Sequence, residues 1–183
     1  MTTHAKLVEI TPDTYDVIQQ IAYATADNML GRVIYKNSKC YLHPTAAAAL
    51  QVAITLADQA GYKIKIFDAY RCPDDHKQLW DFLPNPDYVA DIHIGSNHSR
   101  GIALDVTLVD EHGQDLDMGT HFDAMEEKSH HFHPGHAPAI QRNRLLLLGI
   151  MRAAGFMNIK SEWWHYELPD AASYPLLKSS SSL

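Results

Sequence analysis

The chain has 183 residues, 46% of them hydrophobic and 20% charged, an ordinary globular composition and enough for one domain with its own core. Its formal charge of −7 argues against nucleic acid or an anionic membrane as partner and makes a small molecule the expected one. The opening residues hold no apolar run of signal-peptide length, no stretch approaches a membrane span, and Cys40 and Cys72 share no metal or redox spacing. A cytoplasmic protein with two free thiols is therefore expected.

Taken in order, Thr11 and Pro12 read as an N-cap and first helical residue, opening a short helix that turns Val17, Ile18 and Ile21 inward. Pro44 to Ala60 is an alanine-rich helix stopped by Gly61, with Ala46, Ala49, Leu50, Ala53, Ala57 and Ala60 as a narrow apolar stripe that can lie close against a sheet. Lys63 to Tyr70 reads as a strand ending at Arg71. Pro73, Asp74 and Asp75 open the next helix, with His76, Leu79, Trp80 and Leu83 on one face. Pro84, Asn85 and Pro86 break the chain, and Glu111 to Gln114 is a hairpin turn. Pro138 to Ala154 is the longest helix, with Leu145 to Leu148 expected in the core and Gly155 as its stop. Lys178 to Leu183 is a serine-rich tail expected to fray, and no internal repeat is present.

Between these elements lie two stretches that carry chemistry. Ser99, Arg100 and Gly101 form a turn, and after it Ile102, Leu104, Val106 and Leu108 make one strand face while Ala103, Asp105 and Thr107 make the other. The turn brings His98 back beside Asp105, an imidazole and carboxylate pair suited to zinc, although the spacing by itself is also that of a solvated aspartate after a polar turn. A second source of ligands is the aromatic run Glu162, Trp163, Trp164, His165, Tyr166, Glu167, in which Trp163, His165 and Glu167 share a face. Glu162 and His165 can serve one site only if Glu162 lies in a turn or bulge before the strand. His98, Asp105 and His165 then provide three zinc ligands with a fourth position for water, and Glu162 a base beside it. The histidine-rich stretch from His130 to His136 is a rival, but its Pro134 and Gly135 and its lack of periodicity make it a loop.

Three segments resemble the signature motifs of the D-alanyl-D-alanine dipeptidases: Asp68, Ala69, Tyr70, Arg71; Ser96 to Asp105; and Glu162 to Tyr166. These zinc D-Ala-D-Ala peptidases share a fold with the Hedgehog signalling domain, and the likeness runs from about Tyr23 to Leu177. One departure stands at Cys72, where the family usually has proline; here Pro73 comes one residue later and leaves the local turn open. The resemblance implies one zinc per chain, Arg71 as the group that stabilises the oxyanion, Tyr23 and Asp123 around a free substrate ammonium, and Ser96 near the substrate carboxylate. It implies hydrolysis of D-alanyl-D-alanine to two D-alanines. Two alternatives stay open, a peptidoglycan D,D-carboxypeptidase or endopeptidase and a non-catalytic zinc-containing binding domain. The oligomeric state, monomer or homodimer, is open as well.

Short alternating strands among early and intervening helices indicate an α+β fold: a small, mainly antiparallel sheet with helices on one face and the metal cleft on the other, in a single domain over residues 1–183. The resemblance implies the same.

Overall fold

The computed structural model describes residues 6–177. Its centre is a five-stranded sheet built from β2 (Ile18–Gln19), β4 (Lys63–Asp68), β5 (Ala103–Val109), β7 (His165–Glu167) and β6 (Met157–Asn158), in that spatial order. The β2–β4 pair is parallel and the other three pairs are antiparallel. A separate antiparallel ribbon joins β1 (Val8–Ile10) to β3 (Cys40–Leu42). The fold is α+β, as expected.

The alternation of β5 decides how the layers form. Leu104, Val106 and Leu108 share a face with Ile64 and Ile66 of β4 and with Tyr166 of β7, and all are buried. The helices α2 (Pro44–Gln59) and α4 (Pro138–Ala153) pack on each other and on this layer, α2 against β4 and α4 against β6. Small residues set the approach of α2, where Ala46, Ala47, Leu50, Ala53, Ile54 and Ala57 are buried. The expected stripe is thus rotated: Ala47 and Ile54 join it, while Ala49 is half-buried and Ala60 exposed.

The structure corrects four other local expectations. The first helix, α1 (Pro12–Tyr15), has the Thr11 cap but stops at once, because Asp16 takes a left-handed conformation at φ 48. Val17 and Ile21 still reach the core, from an extended segment, and Ile18 lies in β2. The leucine run of α4 is not buried as a block: Leu147 is inside, Leu146 and Leu148 are half-buried and Leu145 is exposed, since four consecutive helical residues point around most of a turn. Arg144 takes the buried place instead and donates to the carbonyl oxygens of Met118 (2.7 Å), Lys128 (2.9 Å) and His130 (2.6 Å). Finally, the strands near 63–70 and 161–168 are shorter than expected, ending at Asp68 and starting at His165. The helix opened by Pro73 is α3 (Pro73–Phe82), with His76 and Leu79 buried and Trp80 half-buried. The serine-rich tail lies outside the described residues. Among the described residues no helix is long and apolar enough to cross a membrane.

The different fates of neighbouring leucines give a test. Leu147→Ala should cost about 2–5 kcal/mol in urea unfolding and Leu145→Ala less than about 0.5 kcal/mol. Equal costs would contradict this helix orientation.

Candidate metal centre

Three strands bring their polar residues into one row on the face away from α2 and α4. Register pairs Asp68 of β4 with Asp105 of β5, and Asp105 with His165 of β7. The first pairing depends on a bulge between Ile66 and Asp68, which re-aims the end of β4. His98 reaches the row from a 3₁₀ turn, His98–Arg100, closed by Gly101 at φ 71. Only glycine fits there: an added Cβ would lie 2.7 Å from the Leu7 side chain and 3.1 Å from the His43 backbone nitrogen.

Both imidazoles are oriented by acceptors behind them. His98 Nδ1–H donates to the Ala69 carbonyl at 2.7 Å, so its Nε2 faces the site, and His165 Nε2–H donates to Glu167 Oε2 at 2.9 Å, so its Nδ1 does. The facing atoms form a tight triangle: Nε2 of His98 to Nδ1 of His165 is 3.2 Å, Nδ1 of His165 to Asp105 Oδ1 is 3.1 Å, and Nε2 of His98 to Asp105 Oδ1 is 3.5 Å. Burial would lower the His165 pKa, but hydrogen bonds to Asp105 and Glu167 outweigh it and hold the imidazolium up to about 10. Burial would conversely raise Asp105, and His98 and His165 hold it well below the usual carboxylate range. The three facing atoms thus favour a positive charge between them. Two imidazole nitrogens and one carboxylate oxygen suit a divalent metal with an open position, which would replace the proton. It is the sole such group of three among the described residues.

Glu162 sits in the bend before β7, the placement its reach required, with Oε2 4.0 Å from His165 Nδ1. Trp163 N–H donates to the Ser129 carbonyl and the Trp164 carbonyl accepts from Val106 N–H, so the bend is fixed from both sides. Burial pushes the Glu162 carboxyl up to about 8, with Asp105 and Asp123 adding to the effect and His165 and Arg71 opposing it.

Arg71 is buried against Asp68, whose Oδ2 accepts from its Nε at 3.0 Å and its Nη2 at 2.7 Å. The Tyr35 hydroxyl and the Ala69 N–H occupy Asp68 Oδ1. The guanidinium carbon lies 5.0 Å from the centre of the Tyr23 ring. Asp123, left-handed at φ 64, accepts from the Tyr23 hydroxyl at 2.8 Å and from Met29 N–H at 3.0 Å. Burial raises its carboxyl to about 6. Ser96 is buried, and its hydroxyl accepts from His98 N–H at 3.2 Å.

All of the residues singled out in the sequence line one cleft of about 190 Å³: Tyr23, Arg71, Ser96, His98, Asp105, Asp123, Glu162 and His165. A larger cavity of about 440 Å³, lined by Phe67, Thr107, Phe122 and Trp163 among others, holds none of them. The histidine-rich loop supplies no residue to the metal-ligating group; His136 Nε2–H donates to the Lys128 carbonyl and His131 packs on Tyr166. Sequence reasoning missed the supporting residues Asp68, Tyr35, His76 and Glu167. Two carried a signal: Glu167 shares the strand face of His165 at a separation of two, and Asp68 opens the motif that ends at Arg71.

The family described as peptidase M15, D-ala-D-ala dipeptidase, matches residues 3–180. A D-alanyl-D-alanine dipeptidase of Escherichia coli (strain K12) is 50% identical over 182 residues, which is 100% of this chain and 94% of that protein. One from Enterococcus faecalis (strain ATCC 700802 / V583) is 34% identical over 169 residues, 81% of this chain and 84% of that one. Among solved structures, the vancomycin-resistance D,D-pentapeptidase VanY, crystallised with Zn(II), aligns at TM-score 0.49 and 14% identity over 75% of this chain and 78% of its own.

The Asp68–Arg71 pair should matter to stability more than a surface ion pair, because Asp68 is fully buried and its removal strands a buried guanidinium. Asp68→Ala is expected to cost about 3–5 kcal/mol in chemical denaturation. A cost under about 1 kcal/mol would mean that Arg71 finds another partner or water.

Proposed function

Since the chain belongs to the D-alanyl-D-alanine dipeptidase family of peptidases, we propose that it hydrolyses D-alanyl-D-alanine to two D-alanines, using one zinc ion held by His98, Asp105 and His165. The convergence of those three ligand atoms on one buried point, with Glu162 beside them, carries the reading. When bound, zinc supplies a Lewis acid and acidifies water in its open position.

The chain's own residues do the rest. Glu162 takes the proton of the attacking water and returns it to the leaving nitrogen; a carboxyl drawn upward by burial is suited to both transfers near neutral pH. Arg71 has five N–H donors, of which Asp68 takes two, and a free one facing the cleft stabilises the oxyanion that develops on the peptide carbonyl. Asp123 accepts from the substrate ammonium, with the Tyr23 hydroxyl and the Met29 amide fixing its two oxygens. Ser96 assists at the carboxylate end. A cleft of about 190 Å³ with a buried acid at one end favours a small substrate with a free amine over a long wall peptide.

Glu162→Gln is expected to keep one zinc per chain, measured by metal analysis, while D-alanine release falls by at least about 10²-fold; activity near that of the parent would remove Glu162 as the base. Substrate choice is tested at the other end. N-acetyl-D-Ala-D-Ala should be a very poor substrate, because a blocked amine leaves buried Asp123 unpaired. Because burial raises Asp123 to about 6, its anionic form is present above that pH and lost below it, so KM for the free dipeptide should rise as pH falls through 6. Efficient cleavage of acylated peptides, with a flat KM, would favour a D,D-carboxypeptidase.

A further inference from the structure

Arg71 is gripped in an unusual way, because both of its bonds to Asp68 end on the same oxygen, Oδ2. Two donors on one acceptor leave the guanidinium free to rock in its own plane about that oxygen. The Tyr23 ring, 5.0 Å away, resists motion out of the plane but does little within it. A third in-plane contact is needed at the far nitrogen, and His76 supplies it: its Nδ1 lies 3.3 Å from Arg71 Nη1.

The proton arrangement of this histidine follows from its other side. Its Nε2 lies 2.7 Å from the Ala90 carbonyl, which can only accept, so Nε2 carries the ring proton and Nδ1 is a bare acceptor for Arg71. The Ala90 carbonyl is itself anchored, because neighbouring Val89 is 2% exposed and packs into the hydrophobic core. His76 comes from the first turns of α3 and is 3% exposed. Burial, aided by the Arg71 charge, lowers the ring to about 4, which keeps it a neutral acceptor.

We propose that His76 is a positioning residue for the hydrolysis: it fixes the in-plane orientation of Arg71 and so the aim of the Arg71 N–H groups that face the cleft. The inference rests on the proposed role of Arg71 at the oxyanion. Asp68 fixes where the guanidinium is, and His76 fixes how it is turned. A misaimed donor weakens an interaction made chiefly in the transition state, so the loss falls on kcat more than on KM.

The test uses the full-length zinc-loaded protein. His76→Leu, which fills the space and removes the acceptor, should lower kcat for D-Ala-D-Ala about ten- to hundredfold, with KM changed less than about threefold and zinc still stoichiometric. His76→Asn, whose side-chain oxygen can stand near the Nδ1 position, should recover most of the loss. A packing role predicts otherwise: equal defects in the two variants, or a kcat for His76→Leu within twofold of the parent, would overturn the proposal. A separate readout is independent of both activity and the folding of variants. In ¹⁵N NMR of the unmodified protein near pH 7, His76 should show a protonated Nε2 and a bare Nδ1; the opposite tautomer would overturn it as well. If the parent itself releases no D-alanine, the proposed function fails, while the NMR measurement still decides the arrangement at His76.

Discussion

Everything in the cleft depends on one line of register, in which Asp68, Asp105 and His165 stand side by side across β4, β5 and β7. Two buried carboxylates cannot remain ionised next to each other without separate compensating charges, and the fold assigns one set to each. Asp68 receives Arg71 from the segment just after its own strand. Asp105 receives the two imidazoles, and with them the place for a metal. The bulge before Asp68 sets up this division, since it turns the end of β4 toward the row while Ile64 and Ile66 still face the helices.

The acids in and behind this cleft end up in different electrostatic settings. Asp68 is taken up wholly by Arg71, Tyr35 and a backbone amide. Asp105 is drawn down by its imidazoles, whereas Glu162 and Asp123, buried with fewer favourable partners, are drawn up. Environments that push like groups apart in pKa allow one cleft to hold a cation, move a proton and meet an ammonium without these tasks competing. Burial by itself raises Asp105, Glu162 and Asp123 alike, so the differences among them come from the charges and hydrogen-bond partners around each.

The remainder of the structure serves to hold that row still. On one side α2, made close-packing by its alanines, and α4 cover the apolar face of the sheet. On the other, loops carry Asp123, Glu162 and Ser96, and they are tied by polar contacts as well as by the packing of Phe122, Trp163 and Trp164. Arg144 is the clearest case, a buried cation that satisfies three loop carbonyls from within a helix otherwise committed to the core.

How much of this was legible beforehand depends on the range of the interaction concerned. Alternation along Ile102 to Leu108, the proline and glycine limits of α2, α3 and α4, and the need for Glu162 to leave the strand are all local consequences of backbone geometry, readable from the sequence alone. His98, Asp105, Glu162 and His165 were readable in the same way, whereas Tyr23, Arg71, Ser96 and Asp123 were marked only by the family resemblance. The two-residue strands β2 and β6 were not readable, because so short a segment has no periodicity and is a strand only by virtue of its partner. Nor was the burial of Arg144 in place of Leu145, which depends on which carbonyls lie opposite the helix. The partners of the site residues, Asp68 and His76 for Arg71, Ala69 for His98 and Glu167 for His165, were decided by tertiary structure. Countercharges and acceptors are chosen by proximity inside a medium of low dielectric constant, and that proximity exists only after the strands have found their register.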